Sequence, residues 1–314
     1  MGDRKQPLII IAGPTASGKT SLSIEVAKEI NGEIISADSM QIYKYMNIGT
    51  AKISKSEMDG IKHYLVDEIF PDESFSVSDF QSKAIKYIDL IQEKGRLPII
   101  VGGTGLYINS LVYDLDFTQA VSNWELRDEY LEKAKKYGNQ YIYAELRKLD
   151  LESANRIHVN DTKRIIRALE IYYETGKPMS NFYKDFRKEN DIYNIIFIGL
   201  TMDRDKLYER INKRVDTMIE LGLIEEVKSL LSMGYTEDLV SMQGLGYKEI
   251  IEYLKGNYSL DESIDILKRD SRRYAKRQLT WFRREKGIEW VNTQEFENRV
   301  ILTDYVVNII KKKL

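Results

Sequence analysis

The sequence predicts an α/β protein, with a doubly wound parallel sheet built around a phosphate-binding loop and an all-helical insertion within it. Three observations predict this. Residues 13–20, Gly13-Pro14-Thr15-Ala16-Ser17-Gly18-Lys19-Thr20, match G-x-x-x-x-G-K-[ST] in full and lie between an apolar run and a helix-period run. Short apolar runs then alternate with helical patterns, as in sheets covered on both faces. Between Phe117 and Asn190, the periodicity is helical throughout, and no segment qualifies as a strand.

The first expected strand is Leu8 to Ala12, and Leu22, Val26 and Ile30 mark the helix that follows the loop. In that setting the glycines allow successive N–H groups to point inward at a polyphosphate. Lys19 adds a full charge, and the Thr20 hydroxyl is placed to hold magnesium. The second strand, Glu33 to Ala37, runs into Asp38-Ser39-Met40-Gln41, which puts Asp38 on the carboxyl edge where ligands of open α/β sheets bind. A carboxylate there either serves a magnesium-bound water or takes a proton from a nucleophile, or it merely caps a turn. The third strand, Pro98 to Val101, ends in Gly102-Gly103-Thr104-Gly105-Leu106-Tyr107, with no acid of the kind that usually helps ATP-hydrolysing loops hold magnesium. Its three glycines suggest close backbone approach of a ligand, with the Thr104 hydroxyl as a phosphate donor. Ile195 to Leu200 and Ile288 to Val291 complete the strand candidates.

The expected domains are 1–117 with 191–314 as the core and 118–190 as the helical insertion, with hinges near Thr118 to Asn123 and Thr175 to Glu189, where Gly176, Pro178, Ser180 and Asn181 interrupt the pattern. A long helix is predicted over Ser259 to Lys286, opened by a Ser259/Glu262 capping box and stopped by Gly287. Ile264, Leu267, Tyr274, Gln278 and Phe282 fall on one side of it, and Arg269, Arg272, Arg273, Lys276, Arg283 and Arg284 on the other. Lys268 to Lys286 holds nine Lys or Arg against two acids, which favours phosphate contact over a solvated face of mixed sign. Weaker basic clusters are Lys163, Arg164 and Arg167, and Arg204, Arg210, Lys213 and Arg214; Arg214 is also placed to clamp a small phosphate ligand.

Composition narrows the classes. With 47 basic and 49 acidic residues, any nucleic-acid site must be a local patch. Cysteine is absent, which excludes disulfides, thiol nucleophiles and Cys-type zinc sites and fits a cytoplasmic protein. No apolar run approaches the roughly 20 residues that cross a bilayer, and the N-terminus has too short an apolar stretch for a signal peptide. His63 and His158 are the only histidines and are read as packing or capping residues. Trp281 reads as core.

Several blocks together resemble the tRNA dimethylallyltransferase (tRNA isopentenyltransferase) family. They are the phosphate loop, Asp38 to Gln41 with Ile48-Gly49-Thr50-Ala51-Lys52, Gly102 to Tyr107, Arg156-Ile157-His158 with Asn160-Asp161, Arg164 to Glu170, Gly244-Leu245-Gly246-Tyr247-Lys248, and Arg277 to Arg283. The departures are Tyr64 after His63, Val159 where proline is usual, and Ile53 after Lys52. The likeness is to the bacterial type, without a zinc-finger extension beyond Leu314. It implies a core related to nucleoside-phosphate kinases and a channel that tRNA enters from one side and dimethylallyl diphosphate from the other. It also implies Asp38 as base toward an adenine amine, with Lys19, Thr104 and Arg214 on the diphosphate, Mg2+ through Thr20, and no membrane partner. By the same resemblance the tRNA contacts are Asp38, Ser39, Met40, Gln41, Thr104, Arg127, Lys163, Arg164, Arg167, Gly244, Gly246, Tyr247, Lys248, Arg273 and Arg277. A monomer is expected. Two rivals remain at this stage, a small-molecule or nucleotide kinase using the same loop, and a non-catalytic RNA-binding protein gated by a nucleotide.

Overall fold

A computed structural model describes residues 5–113, 115, 123–183, 188 and 190–314. Its elements in chain order are β1 (Gln6–Ala12), α1 (Lys19–Glu29), β2 (Gly32–Ala37), β3 (His63–Tyr64), α2 (Val77–Glu93), β4 (Leu97–Gly102) and α3 (Gly105–Val112). Then come α4 (Trp124–Tyr137), α5 (Asn139–Leu149), α6 (Leu151–Arg156), α7 (Thr162–Thr175) and α8 (Met179–Tyr183), followed by β5 (Tyr193–Thr201), α9 (Arg204–Glu220), α10 (Leu223–Ser232), α11 (Tyr247–Leu254), α12 (Leu260–Phe282), β6 (Ile288–Asn292) and α13 (Arg299–Lys313). The chain divides into two compact units, residues 1–110 with 191–314, and residues 111–190. Thr118 to Ser122, in the first expected hinge, and Lys184 to Arg187 with Glu189, in the second, lie outside the described residues.

The larger unit carries a six-stranded sheet in the order β3-β2-β4-β1-β5-β6. Every pairing is parallel, with Ile9 opposite Ile99 and Ile196, and Ile34 opposite Ile99. Parallel strands buried on both faces need apolar residues at every position. Leu8 to Ala12 meet that demand, and all five are fully buried. Ile9, Ile11, Ile34 and Val101 pack on one face with Leu22 and Val26 of α1 and with Leu302, Val306 and Ile310 of α13. On the other face, α2 packs against β2 and β4, and Phe282 at the end of α12 meets Phe197 of β5 edge-on.

Two elements differ from the sequence expectation. β3 is only two residues long, too short to leave a periodic signature, and joins the edge of the sheet through Ile34–His63 and Ile35–Tyr64 pairing. The long helix begins at its capping box as expected but ends at Phe282 rather than Lys286. Its last turn gives way to turns at Arg284 and Glu285, and Gly287, with φ 75°, bends the chain into β6.

The smaller unit is all helical among its described residues. Tyr130, Ile142, Leu146, Ile165 and Leu169 form its core. Within it lies Glu170, whose side chain is fully buried. Its carboxylate accepts from Arg127 Nε at 2.8 Å, from Arg127 Nη2 at 3.0 Å, from the Asn123 N–H at 2.8 Å, and from Arg167. Burial would raise the Glu170 pKa, but the hydrogen bonds of Arg127 and Arg167 outweigh it and hold the carboxyl below its usual range. A carboxylate with a depressed folded pKa contributes stability that is fully present above its unfolded value and lost as pH falls through the folded one. Glu170→Ala is therefore expected to cost about 3 kcal/mol, because it strands two guanidinium groups. Thermal melts of wild type and variant should converge as pH is lowered below 4.5, the ordinary carboxylate value. An unchanged gap at low pH would contradict this.

Candidate functional site

The carboxyl ends of β1, β2 and β4 open into a cleft of about 480 Å³ in the larger unit. Its floor is the loop after β1. Gly13 has φ 154°, and a Cβ there would sit 2.7 Å from the Leu200 carbonyl oxygen of the neighbouring strand. Ala16 occupies the left-handed region at φ 63°, a strained conformation for a residue with a side chain. Thr15, Ala16, Gly18, Lys19 and Thr20 line the cleft, while Gly13, Pro14 and Ser17 are buried beneath it. Lys19 Nζ donates to the carbonyls of Gly13 at 2.9 Å and Pro14 at 2.7 Å. Arg214, from α9, donates to Thr15 Oγ1 at 3.3 Å, and Arg210, one turn earlier, stands beside Gly18. Burial, followed by the Arg214 charge, pulls the Lys19 ammonium down to about 7, against the opposing pull of Asp38. The loop thus gathers positive charge that a bound anion would stabilise.

Asp38 follows β2 and faces the same cleft. Its Oδ1 accepts the Met40 N–H at 2.9 Å, and its Oδ2 has no hydrogen-bond partner among the described residues. The turn-capping and proton-accepting readings of this residue are thus compatible, since each uses a different oxygen. Thr104 stands outside the cleft lining. Its hydroxyl accepts the Ser39 N–H at 3.1 Å and its own N–H donates to the Ala37 carbonyl at 3.1 Å, so it ties the loops after β2 and β4 together.

The glycines at the end of β4 and just after it face protein neighbours that the sequence does not reveal. A Cβ at Gly102 would lie 2.1 Å from the Ala37 carbonyl oxygen, one at Gly103 2.1 Å from Gln278 Nε2, and one at Gly105 2.2 Å from the Trp281 ring. The close approach is made by β2 and α12, and Gly102 and Gly103 also line the cleft. Gln278 itself is buried and bridges the two loops, accepting the Thr15 N–H at 2.8 Å and donating to the Gly103 carbonyl at 3.0 Å. Next to it, burial and then the Asp38 charge push the Tyr274 hydroxyl up to about 12.

A third wall is the segment after Asp38. Glu226 gathers the N–H groups of Asn47 at 2.9 Å, Ile48 at 2.8 Å and Gly49 at 3.1 Å, together with the Tyr247 hydroxyl at 2.7 Å. Gln41 Nε2 reaches the carbonyls of Thr50 and Ala51 at 3.4 Å, and the Met40 methyl occupies the space a side chain at Gly244 would need. Ser39, Met40, Gln41, Gly244, Lys248 and Arg277 all line the cleft. Tyr247, expected as an RNA contact, is fully buried together with Gly246. Burial removes it from direct contact, and it acts instead through Glu226 on the Asn47–Gly49 turn. Arg273 is exposed on α12 beside Asp270, at 3.2 Å, and exposed Lys276 makes no ion pair among the described residues. In the smaller unit, Lys163 and Arg164 are exposed, whereas Arg127 and Arg167 are held by Glu170.

His63, which the sequence reading left as a packing residue, lines the cleft, with Nδ1 2.9 Å from the Ile61 carbonyl. Gln278 and Glu226 were missed as site residues. A polar residue on the apolar stripe of α12 was the available signal for Gln278. Glu226 had none, because its partners lie far away in sequence. Magnesium fits the residues present: the exposed Thr20 hydroxyl makes no hydrogen bond among the described residues, which contain no cluster of three His, Cys, Asp or Glu. An ion that takes one protein oxygen and completes its shell with phosphates and water needs no such cluster.

A family model described as "IPP transferase" matches residues 41–285. The chain is 57% identical over 291 residues to a "tRNA dimethylallyltransferase" of Acetivibrio thermocellus, covering 93% of each chain. It is 55% identical over 311 residues to the one of Clostridioides difficile, covering 99% of each. Among solved structures, a full-length tRNA isopentenylpyrophosphate transferase from Bacillus halodurans aligns with TM-score 0.72 and 46% identity over 98% of both chains. A eukaryotic dimethylallyltransferase described as acting on tRNA aligns with TM-score 0.79 and 32% identity, over 91% of this chain and 74% of that one.

An anion bound at Lys19 raises its pKa, so affinity is full below about pH 7 and weakens as pH rises above it. Binding of inorganic diphosphate with magnesium near pH 8 is therefore expected to take up more protons in wild type than in Lys19→Met. Calorimetry in buffers of different ionisation heat measures the difference. Equal uptake would mean that Lys19 is already fully charged.

Proposed function

The chain belongs to the IPP transferase family, the tRNA dimethylallyltransferases, and we propose that it transfers the dimethylallyl group of dimethylallyl diphosphate to the exocyclic N6 amine of the adenine 3′-adjacent to the tRNA anticodon. One observation carries the reading. A single cleft joins a cation-rich phosphate loop to a carboxylate, Asp38, that keeps one oxygen free of other partners. A kinase is not favoured, because the family and the full-length relatives are named for isopentenyl or dimethylallyl transfer and not phosphoryl transfer, and β4 ends in glycine rather than an acid.

The adenine amine is a weak nucleophile because its lone pair is delocalised into the ring. As its nitrogen bonds to the first carbon of the allyl group, the bond from that carbon to the diphosphate oxygen breaks, and Asp38 Oδ2 takes the amine proton. The electron pair leaves with the diphosphate, where Lys19, Arg214 and the loop amides meet the growing charge. Thr20 would hold magnesium, which would supply further neutralisation of the diphosphate charge. Ser39, Met40 and Gln41, held by Thr104 and by the Thr50 and Ala51 carbonyls, line the path of the adenine. The base must leave its stack at a cost of about a few kcal/mol. Phosphate contacts to Arg273, Arg277 and Lys248, and to Lys163 and Arg164 of the smaller unit, offset that cost. Arg127 and Arg167 are ion-paired to Glu170 and steady α4 and α7, the latter carrying Lys163 and Arg164. The enzyme acts as a monomer in the cytoplasm, where its RNA substrate is found. Among the described residues, no helix is long and apolar enough to cross a membrane.

Asp38→Ala is expected to lower single-turnover prenyl transfer by about 10²-fold or more while tRNA affinity changes by less than about threefold. Rapid-quench transfer assays alongside filter binding read both quantities. Near-normal turnover in the variant removes Asp38 from the role of base.

A further inference from the structure

We infer that Gln278 is a positioning residue that fixes the phosphate loop from the buried side of α12, an inference that rests on the proposed binding of an allylic diphosphate in that loop. Gln278 is 7% exposed, and its carboxamide uses both ends, the oxygen on the Thr15 N–H at 2.8 Å and the nitrogen on the Gly103 carbonyl at 3.0 Å. The partners leave no choice of orientation, because an N–H can only donate and a carbonyl can only accept. Asn is one methylene shorter, and an ionised Glu of the same length has no donor. The slot is also sterically specific, since a Cβ at residue 103 would lie 2.1 Å from the Gln278 nitrogen.

Thr15 is held at two points, its N–H by Gln278 and its hydroxyl by Arg214 at 3.3 Å. The next residue, Ala16, sits at φ 63°, a conformation that persists only where its surroundings impose it. Gln278 supplies that restraint from a helix whose neighbouring residues, Lys276 and Arg277, are exposed. Loss of the bridge frees the Thr15 amide and the Ala16 turn to relax. The remaining loop amides then no longer converge on a diphosphate, whereas the exposed cations of α12 stay where they were.

Gln278→Met keeps the length and removes both hydrogen bonds; Gln278→Glu keeps the acceptor for Thr15 but sets a carboxylate against the Gly103 carbonyl. For Gln278→Met, the KM for dimethylallyl diphosphate is expected to rise about tenfold while the KM for tRNA stays within about twofold. Gln278→Glu should move in the same direction. Hydrogen exchange of the Thr15 amide, followed without donor, should speed up about tenfold in Gln278→Met, with the Ile9 to Ile11 amides of β1 unchanged. The inference is overturned if Thr15 exchange and the donor KM match wild type. It is equally overturned if both KM values shift together, or if the β1 amides lose protection in both variants, because the residue then only supports the fold. A wild-type protein that shows no saturation with the donor would sink the proposed function instead, and the Thr15 exchange comparison would still decide the role of Gln278.

Discussion

The close approach of β2, β4 and α12 at the carboxyl edge of the sheet is the constraint on which the cleft depends. The backbone after β4 passes so near the Ala37 carbonyl and the Gln278 amide that residues 102 and 103 have no room for a side chain. Only with that backbone in place can Thr104 join the two loops, and only then does Gln278 reach Thr15 across the cleft floor. The phosphate loop takes its shape from β1 and α1, but its orientation depends on a helix far along the chain.

Charge distribution follows from the same arrangement. In many phosphate-loop proteins, a strand-end acid helps hold magnesium beside the loop lysine. Here β4 ends in glycine, and the charges acting on Lys19 are Arg214 and, more weakly and with opposite sign, Asp38. Burial and the Arg214 charge disfavour a charged Lys19, a cost that the diphosphate of the proposed reaction would relieve. The nearly balanced total charge of the chain therefore says little about its ligands, because the positive charge is concentrated on the cleft floor and the outer face of α12.

What was legible in the sequence was local. The phosphate loop, the apolar strands and the Ser259 capping box each carry their signal within a few residues, and they fold as that signal predicts. β3 left no trace, because two residues have no periodicity. The glycines after β4 were correctly singled out for close approach, but what approaches them was invisible, since Gln278 and Trp281 lie more than 170 positions away. Glu226 was missed for the same reason, because its carboxylate organises the Asn47–Gly49 turn across a separation of 177 to 179 positions. Arginines were legible as charges but not as partners. Arg127 and Arg167 read as RNA contacts in the sequence, whereas a buried glutamate holds both in the fold.

The account stands or falls on the chemical product. The most direct measurement is to incubate the protein with magnesium, dimethylallyl diphosphate and an unmodified tRNA carrying adenine next to the anticodon, then digest the RNA and weigh its nucleosides. The account predicts an adenosine heavier by one five-carbon unit, located at that position. Unmodified RNA, with folded protein, folded tRNA and intact donor recovered at the end, would contradict it.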